Sequence, residues 1–381
     1  MTSRERLLAA IRRQDVDYVP CSAFFNPLTP QQRVGHRWQF PWGPSDTERV
    51  EYCLLELGTD PVVGVPIGAD PIVGDPFGEL HPYYPNPDVT SMAWMEDDVI
   101  HKVWSTPSGE LNAAIRYDIS WQHGLDIPFF SDFNVGHFIE SWLKTPADLE
   151  CLRHILLPAR TREHLDGLRL AYSEAQAVAE KHQLPTFTSI GFGLTGAMLL
   201  AGAEAICIMT IDQPELVDEY LELEHRLNVR HMEIAVEMGV DIIRRDGFYE
   251  TADFYSPGML DRFLTKRIQK EAEVVHQAGK LLTYTVNTGV MPILDHLSGL
   301  DFDCAMQIDI AFKGVDLAKS GQNWAGARVS GSVRAVRFTC GTKTQKWCAR
   351  LSATSSTFSV KRDSFSPPAP LLTALCRGKI H

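Results

Sequence analysis

Two carboxylates and two arginines stand close together in the middle of the chain. Asp246 and Glu250 are four residues apart and follow directly after Arg244 and Arg245. Carboxylates beside arginines can orient a cationic or N–H-bearing substrate, and two carboxylates in different surroundings can divide the roles of general acid and general base. The same residues could instead form a structural ion-pair cluster that closes the rim of a sheet. The sequence leaves both interpretations open.

Three further polar residues are candidates for the same site. Tyr284 and Asn287 stand three apart after a short apolar run, and together they can donate and accept hydrogen bonds to a substrate carboxylate or amide. Asp70 follows the turn at 64–68 and is the third candidate acid. An aspartate at such a position can also serve only to stabilise its own turn. For these residues too, a functional and a structural role remain open.

The tripeptide Gly191-Phe192-Gly193 follows a predicted strand at its carboxyl end, as the candidate residues above do. It is not a dinucleotide-binding fingerprint, because the third glycine and the downstream acid that binds ribose are not correctly placed. Glycines at such a turn allow the backbone to approach a bound molecule closely. We therefore predict that these three residues, with Arg245, contact the substrate.

An alternation of strands and helices must position these residues. From Thr145 onward, short apolar runs alternate with amphipathic segments, and this rhythm predicts parallel βαβ units. The predicted architecture is a single (β/α)₈ TIM barrel, in which chemistry lies at the carboxyl ends of the strands. That rule points to the residues above and to Asp60. The predicted strands are 186–190, 240–243, 281–285 and 302–307, and the predicted helices are 161–182, 214–238, 256–278 and 292–297.

The first half of the chain is less regular. Thr2 and Glu5 predict a capping box at the start of a first helix, and Asp212 with Glu215 predicts another. Residues 66–135 are rich in Pro, Gly, Asp and aromatic residues, which indicates hairpins and loops inserted over one end of the barrel. We therefore predict one barrel domain over 1–319 that carries this insertion.

The C-terminal segment 320–381 differs in composition from the rest. It contains ten Lys or Arg against one acid, and 15 of its 62 residues are Ser or Thr. One interpretation is a basic, disordered appendage. The interpretation we favour is that the chain leaves its proper reading frame shortly after Lys319, because only six barrel strands are counted before that point. The last strands of the barrel would then be disrupted, with open edges.

Composition limits the partners and the compartment. The formal net charge of −12 over 381 residues argues against a nucleic-acid or anionic-membrane partner. The start of the chain has no apolar signal-peptide core, and the apolar stretch 191–211 is interrupted by Glu204 and by glycines, as in a buried helix. The eight cysteines show no disulfide framework. We therefore expect a soluble, cytoplasmic protein.

Several segments in order resemble the uroporphyrinogen decarboxylase superfamily, which includes the methylcobalamin:coenzyme M methyltransferases. The similarity covers about 1–319, and it rests on the order and spacing of motifs rather than on any single one. The matching segments are Thr2 to Ala10 with Asp17 to Pro20, Gly191 to Gly202, Asp212 to Val217, Glu237 to Asp241, and Asp246 to Pro257. The resemblance implies a (β/α)₈ barrel with a deep cleft for a tetrapyrrole or a corrinoid-bound group.

The resemblance implies two chemistries, and the chain departs from the pattern of each. The decarboxylases use no cofactor and hold substrate carboxylates with an arginine-bearing loop, whereas the matching stretch 20–27 here has no arginine. The methyltransferases bind zinc through a His-x-Cys, whereas the matching Tyr284-Thr285-Val286 has neither residue. Zinc bound by those ligands is therefore not expected.

Cys151 and His154 are the remaining pair with the spacing of metal ligands. They fall within a predicted helix rather than at a strand end, where a packed thiol and a surface histidine are the simpler interpretation. No metal site is therefore predicted from the residues.

The sequence predicts a uroporphyrinogen decarboxylase-like enzyme that acts by acid–base chemistry on a tetrapyrrole or corrinoid-linked small molecule. We expect its physiological substrate to differ from uroporphyrinogen, because the arginine loop is missing. One alternative is a corrinoid-dependent methyltransferase without the usual zinc ligands, which would work with a corrinoid carried by a partner protein. Another is a degraded, non-catalytic barrel. A homodimer is compatible with each of these.

Overall fold

The computed structural model describes residues 1–22, 47–55, 58–67, 86–118, 121, 123–130 and 137–308. Asp70 and the segment 320–381 lie outside these ranges, so the predictions made for them are not addressed below. The helices are α1 (Ser3–Ile11), α2 (Thr47–Leu55), α3 (Pro146–Ile155), α4 (Arg162–His182), α5 (Leu194–Ala201), α6 (Ala203–Asp212), α7 (Pro214–Met238), α8 (Pro257–Gln277) and α9 (Leu294–Gly299). The strands are β1 (Val63–Gly64), β2 (Thr90–Glu96), β3 (Val99–Thr106), β4 (Gly109–Arg116), β5 (Phe138–Glu140), β6 (Thr186–Ser189), β7 (Ile242–Asp246), β8 (Leu281–Thr285) and β9 (Cys304–Met306).

A parallel sheet carries the second half of the chain. Its strands lie in the order β1-β6-β7-β8-β9, and each neighbouring pair is parallel. Helices connect β6 to β7, β7 to β8 and β8 to β9, so neighbours in the sheet are also successive along this part of the chain. The fold is therefore a mixed α/β fold with a parallel sheet. The five described strands form one sheet, and closure of the predicted barrel stays a prediction.

The helices begin and end where local chemistry directs them. Thr2 and Thr145 each form a complete capping box, and Ser256 caps α8 in front of a proline at its first position. Gly239 ends α7 in a left-handed conformation at φ 101°, which glycine adopts without strain. These start and stop signals explain why most element boundaries lie within two residues of the predicted ones.

The second predicted capping box, Asp212 with Glu215, is wrong. Asp212 is the last residue of α6, and α7 starts at Pro214 with Gln213 as a cap whose side chain makes no capping hydrogen bond. The physical reason is that proline already provides a suitable first residue for the helix. The apolar run before it meanwhile extends α6 up to Asp212.

Alternation along the strands divides the sheet into two faces. On the inner face, Phe187, Ile242, Leu281 and Cys304 form one apolar cluster, which α1 covers with residues such as Leu7. On the outer face, residues from the same strands pack against the helices in the main core. Asp60, expected at a carboxyl end, precedes β1 and accepts a hydrogen bond from Arg6 of α1 at 2.6 Å. That expectation is corrected: Asp60 fastens α1 to the amino-terminal edge.

A second sheet lies within and just beyond the predicted insertion. Strands β2, β3, β4 and β5 form an antiparallel sheet in that order. The segment that connects this sheet to α3 also contacts α5, because the backbone N–H of Trp142 donates to Leu200 O at 2.9 Å. The segment between β5 and α3 therefore packs beside α5.

The apolar stretch 191–211 forms two helices, α5 and α6, bent by 115° with respect to each other. Every residue of α5 is buried. In the described ranges no single helix is long and apolar enough to cross a membrane, and this bent pair meets the criterion by length and composition only.

Candidate functional site

An ion pair lies on the inner face near the carboxyl edge of the sheet. Arg244 and Asp246 follow Ile242 at intervals of two, so both side chains point inward. The Arg244 Nε lies 2.6 Å from Asp246 Oδ1, and both side chains are fully buried. The guanidinium also lies over the Phe187 ring, 5.2 Å from its centroid. This pair is the charged feature of the inner face in the described strands.

Hydroxyl groups flank this pair on both neighbouring strands. Ser189 of β6 is in register with Arg244, and Thr285 of β8 is in register with Asp246. Both residues are fully buried, and neither hydroxyl oxygen has a hydrogen-bond partner within the described structure. The hydroxyl of Thr283, two residues before Thr285 on the same strand, donates to Ile243 O at 3.3 Å. The inner face thus changes from apolar to polar towards the carboxyl edge.

Arg245 points to the opposite face and forms a separate cluster there. Its Nη1 lies 2.5 Å from Glu250 Oε2, and its Nε donates to Glu271 Oε2 at 2.9 Å. The Tyr284 hydroxyl also donates to Glu250 Oε2, and the Arg245 guanidinium lies 5.3 Å from the centre of the Tyr284 ring. All four side chains are essentially inaccessible to water. Predicted substrate-binding residues Arg245 and Tyr284 therefore bind a glutamate behind the sheet.

Both oxygens of Glu250 are engaged by the protein. Besides Arg245 and Tyr284, the Leu194 N–H at the start of α5 donates to Oε1 at 2.7 Å. Gly193, at φ +54°, leaves room for this carboxylate, since a Cβ at that position would overlap Glu250 and Arg245. Gly193 thus permits the close approach of Glu250, a side chain of the protein itself, to this turn.

Glu224 of α7 holds the same turn from the other side. Its Oε1 accepts hydrogen bonds from Phe192 N at 2.5 Å and from Gly193 N at 2.8 Å. Burial raises the pKa of the Glu224 carboxyl, against the opposing effect of the Arg245 charge and the two backbone N–H groups. Glu224 and Glu250 together accept from three successive backbone N–H groups that lead into α5.

The pKa values of Glu271 and Tyr284 are also shifted by their place in this outer cluster. Burial alone would raise the pKa of Glu271, but the Arg245 charge and the hydrogen bond with His225 hold that pKa below its usual value. Burial, followed by the Glu250 charge, raises the pKa of Tyr284 well above its usual value. One guanidinium is thus surrounded by three buried carboxylates, those of Glu224, Glu250 and Glu271.

The structure therefore separates residues that the sequence places together. Asp246 lies on the inner face, whereas Glu250, Arg245 and Tyr284 lie behind the sheet. Asn287 follows β8; its backbone N–H donates to Phe248 O at 3.4 Å, and its buried Oδ1 has no partner in the described part of the chain.

Sequence reasoning missed Glu224, Glu271 and Ser189. A signal for the first exists: Glu224 lies four residues after Tyr220, on the face of α7 that the apolar spacing predicts to be buried. Ser189 carries no comparable signal, because a lone serine at the end of a strand is unremarkable in composition.

The candidate metal pair makes other contacts. Cys151 is buried in α3, and His154 Nε2 lies 2.8 Å from the Ser108 hydroxyl. Within the described ranges, no three His, Cys, Asp or Glu side chains are grouped so that they could hold a metal ion. The segment Tyr284 to Val286 offers no zinc-binding donor.

No protein-family model matches the chain, and no curated protein matches it. Among solved structures, a methyltransferase from Methanosarcina mazei is similar at 17% identity over 86% of this chain and 81% of that chain, with a TM-score of 0.49. A 3-keto-D-glucoside 4-epimerase from E. coli is similar at 10% identity over 50% of this chain and 87% of that chain, with a TM-score of 0.24. A phosphoenolpyruvate phosphomutase from Streptomyces platensis subsp. rosaceus is 13% identical over 49% and 66% of the two chains, also with a TM-score of 0.24.

Proposed function

We propose that the chain is a uroporphyrinogen decarboxylase-like enzyme whose reaction centre is the Arg244–Asp246 pair. One observation carries the proposal: a carboxylate buried beside an arginine at the carboxyl edge of a parallel sheet, where enzymes of this architecture place their chemistry. The substrate would be a tetrapyrrole or a corrinoid-linked small molecule, as the resemblance of the sequence implies.

Asp246 would move the proton in this reaction. A buried carboxylate at the end of a strand can accept a proton from a substrate X–H group and return it later. Arg244, 2.6 Å away, favours the ionised form of Asp246 and fixes its orientation. Glu250 would act at a distance from the substrate, because its two oxygens already accept from Arg245, Tyr284 and Leu194. In this proposal Glu250 positions the turn and strand ends around Asp246.

Methyl transfer is the chemistry we favour over decarboxylation. A decarboxylase of this family must hold several substrate carboxylates with cationic groups. In the described site both arginines are engaged, Arg244 by Asp246 and Arg245 by Glu250 and Glu271. Transfer of a methyl group to an X–H acceptor instead releases one proton, which Asp246 is placed to take.

The methyl group would come from a corrinoid that a partner protein carries. The contribution of this chain would be to bind the acceptor beside Asp246, to exclude water and to hold the released proton. The donor set in the described site does not suit zinc, because Tyr284, Thr285 and Val286 lack His and Cys, and we assign no step to that metal.

The experiment is to incubate the purified full chain with methylcobalamin and methyl acceptors while following the corrinoid absorption spectrum. Asp246→Asn should reduce demethylation about a hundredfold or more. Asp246→Glu, which keeps the charge beside Arg244, should fold and lose part of the activity. The control is Asp212→Asn, an exposed aspartate at the end of α6.

Three other outcomes decide between the alternatives. Release of CO₂ from uroporphyrinogen without demethylation would replace methyl transfer by decarboxylation. Equal turnover by wild type and both Asp246 variants would remove the Arg244–Asp246 pair as the reaction centre. If the chain melts cooperatively and catalyses neither methyl transfer nor decarboxylation, the non-catalytic barrel is favoured.

A further inference from the structure

The two hydroxyls beside the Arg244–Asp246 pair are buried without a partner in the described part of the chain, and they lie on the strands at either side of that pair. Ser189 and Thr285 are each 0% exposed, and neither hydroxyl oxygen makes a hydrogen bond within the described residues. A buried hydroxyl that loses its bonds to water without replacement destabilises the folded state. Native proteins leave few such groups, and those that remain tend to lie at sites that bind something else.

Strand geometry directs both hydroxyls to the same place. Ser189 is two residues after Phe187, and Thr285 is four residues after Leu281, so both share the inner face with the apolar cluster below. They lie on the two strands that neighbour β7, one on each side of the ion pair. Adjacent strands are about 4.8 Å apart, so β6 and β8 lie roughly 10 Å apart across β7, and a small molecule of about four heavy atoms above β7 could contact both hydroxyls.

The charge of this layer limits what it can bind. In the five described strands, the inward-facing positions carry two formal charges, Arg244 and Asp246, which neutralise each other at 2.6 Å. Among the described strands, an additional full charge brought into this buried layer would meet only these two groups, which already face each other, and would be strongly disfavoured. A hydroxyl both donates and accepts, and so it suits an uncharged polar group.

We propose that Ser189 and Thr285 form a subsite for the uncharged polar end of a small molecule: an alcohol, an ether or an amide. This inference deepens the proposed function by naming the chemical class of the acceptor or its methylated product. Polar atoms of the ligand would exchange hydrogen bonds with the two hydroxyls, one atom with each, above the Arg244–Asp246 pair.

The first test measures stability without ligand. Thr285→Val keeps the shape of the side chain and removes the unpartnered hydroxyl, and Ser189→Ala does the same on β6. Each should raise the melting temperature of the full chain by about 1–2 °C. The control is Thr283→Val, which removes a hydroxyl that donates to Ile243 O and should lower the melting temperature. A lower melting temperature in both Thr285→Val and Ser189→Ala would mean that these hydroxyls have structural partners, and would overturn the proposal.

The second test measures binding with three probes that share a methyl ether and differ in charge: 2-methoxyethanol, methoxyacetate and 2-methoxyethylamine. Saturation-transfer NMR at millimolar concentration should show 2-methoxyethanol bound about tenfold or more tightly than either charged compound. Ser189→Ala and Thr285→Val should each weaken its binding about two- to tenfold. Equal or tighter binding of a charged probe, unchanged binding in both variants, or no binding by any probe would overturn the subsite.

Its failure is distinguishable from failure of the proposed function. A chain that demethylates methylcobalamin through Asp246 but shows no preference among the probes keeps the reaction centre and loses the subsite. Conversely, a chain that selects 2-methoxyethanol through Ser189 and Thr285 but has no corrinoid-dependent turnover keeps the subsite and loses the proposed reaction.

Discussion

Arg245 and Asp246 are consecutive in the chain and lie on opposite faces of the parallel sheet. The Asp246 carboxylate meets Arg244 on the inner face, whereas the Arg245 guanidinium meets Glu250 and Glu271 behind the sheet. This separation follows from the period of two along a strand. One short charged segment therefore supplies a candidate reaction centre on one face and a structural ion-pair cluster on the other.

The outer cluster should matter mainly for stability. Arg245→Met removes the guanidinium shared by Glu250 and Glu271 and leaves buried carboxylates without their cation. Loss of one partner from a buried ion pair costs roughly 3–5 kcal/mol, so urea denaturation should show a loss of about that size. Arg262→Met is the matched control, because Arg262 is 50% exposed and lies 3.5 Å from Asp218; it should cost about 1 kcal/mol or less. If Arg245→Met lowers the free energy of unfolding by no more than Arg262→Met does, the structural role of Arg245 is contradicted.

The turn before α5 should not tolerate a side chain at Gly193. Its φ of +54° is unfavourable for other residues, and a Cβ would overlap Glu250 and Arg245. Gly193→Ala should therefore reduce the free energy of unfolding by roughly 2–4 kcal/mol, as strain and overpacking add. Gly258→Ala in the first turn of α8 is the control, since nothing lies within 4 Å of its added Cβ. Equal stability of both variants would show that the turn relaxes freely.

Much of the parallel sheet could be predicted from the sequence. Strand β8 has the predicted bounds, 281–285, and α4 and α8 begin and end within one residue of theirs. These segments have strong local signals: capping residues, a proline at the start of a helix or a glycine at its end, and a clear period in the apolar positions. The predicted strand 240–243 ends before β7 does, at Asp246, because the charged residues Arg244 to Asp246 lack the apolar pattern of a buried strand.

The grouping of site residues could not be predicted, for a physical reason. Which face a side chain occupies depends on where its strand begins, and a shift of one residue moves every side chain to the other face. Partners from helices are also hard to identify from a local pattern: the spacing of α7 predicts that Glu224 is buried, but neither this residue nor Glu271 shows in the sequence that it will contact Gly193 or Arg245. The charged segment itself was recognised; its division between two faces required the fold.

The His276–Asp303 contact should make stability depend on pH. His276 Nε2 lies 2.9 Å from Asp303 Oδ2, and this hydrogen bond is the main cause that raises the pKa of His276 above its usual 6.5. A raised histidine pKa contributes stability that is fully present below pH 6.5 and is lost as the pH rises through the folded-state value. The loss caused by His276→Gln, measured by urea denaturation, should therefore be largest in acid and shrink towards alkaline pH.

Asp303→Asn provides the control for this contact. It should remove most of the pH-dependent part, because Asp301 Oδ2 also lies 3.5 Å from His276 Nδ1, while the amide oxygen can still accept the hydrogen bond that Leu282 N donates to Asp303 at 2.8 Å. A His276→Gln effect that stays constant with pH would mean that the ion pair contributes nothing.

Glu224 should produce the opposite of the usual carboxylate behaviour. Burial raises its pKa above 4.5, so the folded protein holds a proton that the unfolded chain has released. Stability from this group is present below that usual value and falls as the pH rises through the folded-state pKa, with a slope of up to about 1.4 kcal/mol per pH unit.

Glu224→Gln keeps an oxygen that can accept hydrogen bonds from Phe192 N and Gly193 N, and its side chain cannot ionise. The variant should therefore gain stability relative to wild type as the pH rises from 4 to 8, as followed by urea denaturation. Glu219→Gln, at a 58% exposed position of the same helix, should show no such gain. A constant difference between Glu224→Gln and wild type across this range would mean that Glu224 is ionised throughout, and that Arg245 and the backbone N–H groups outweigh its burial.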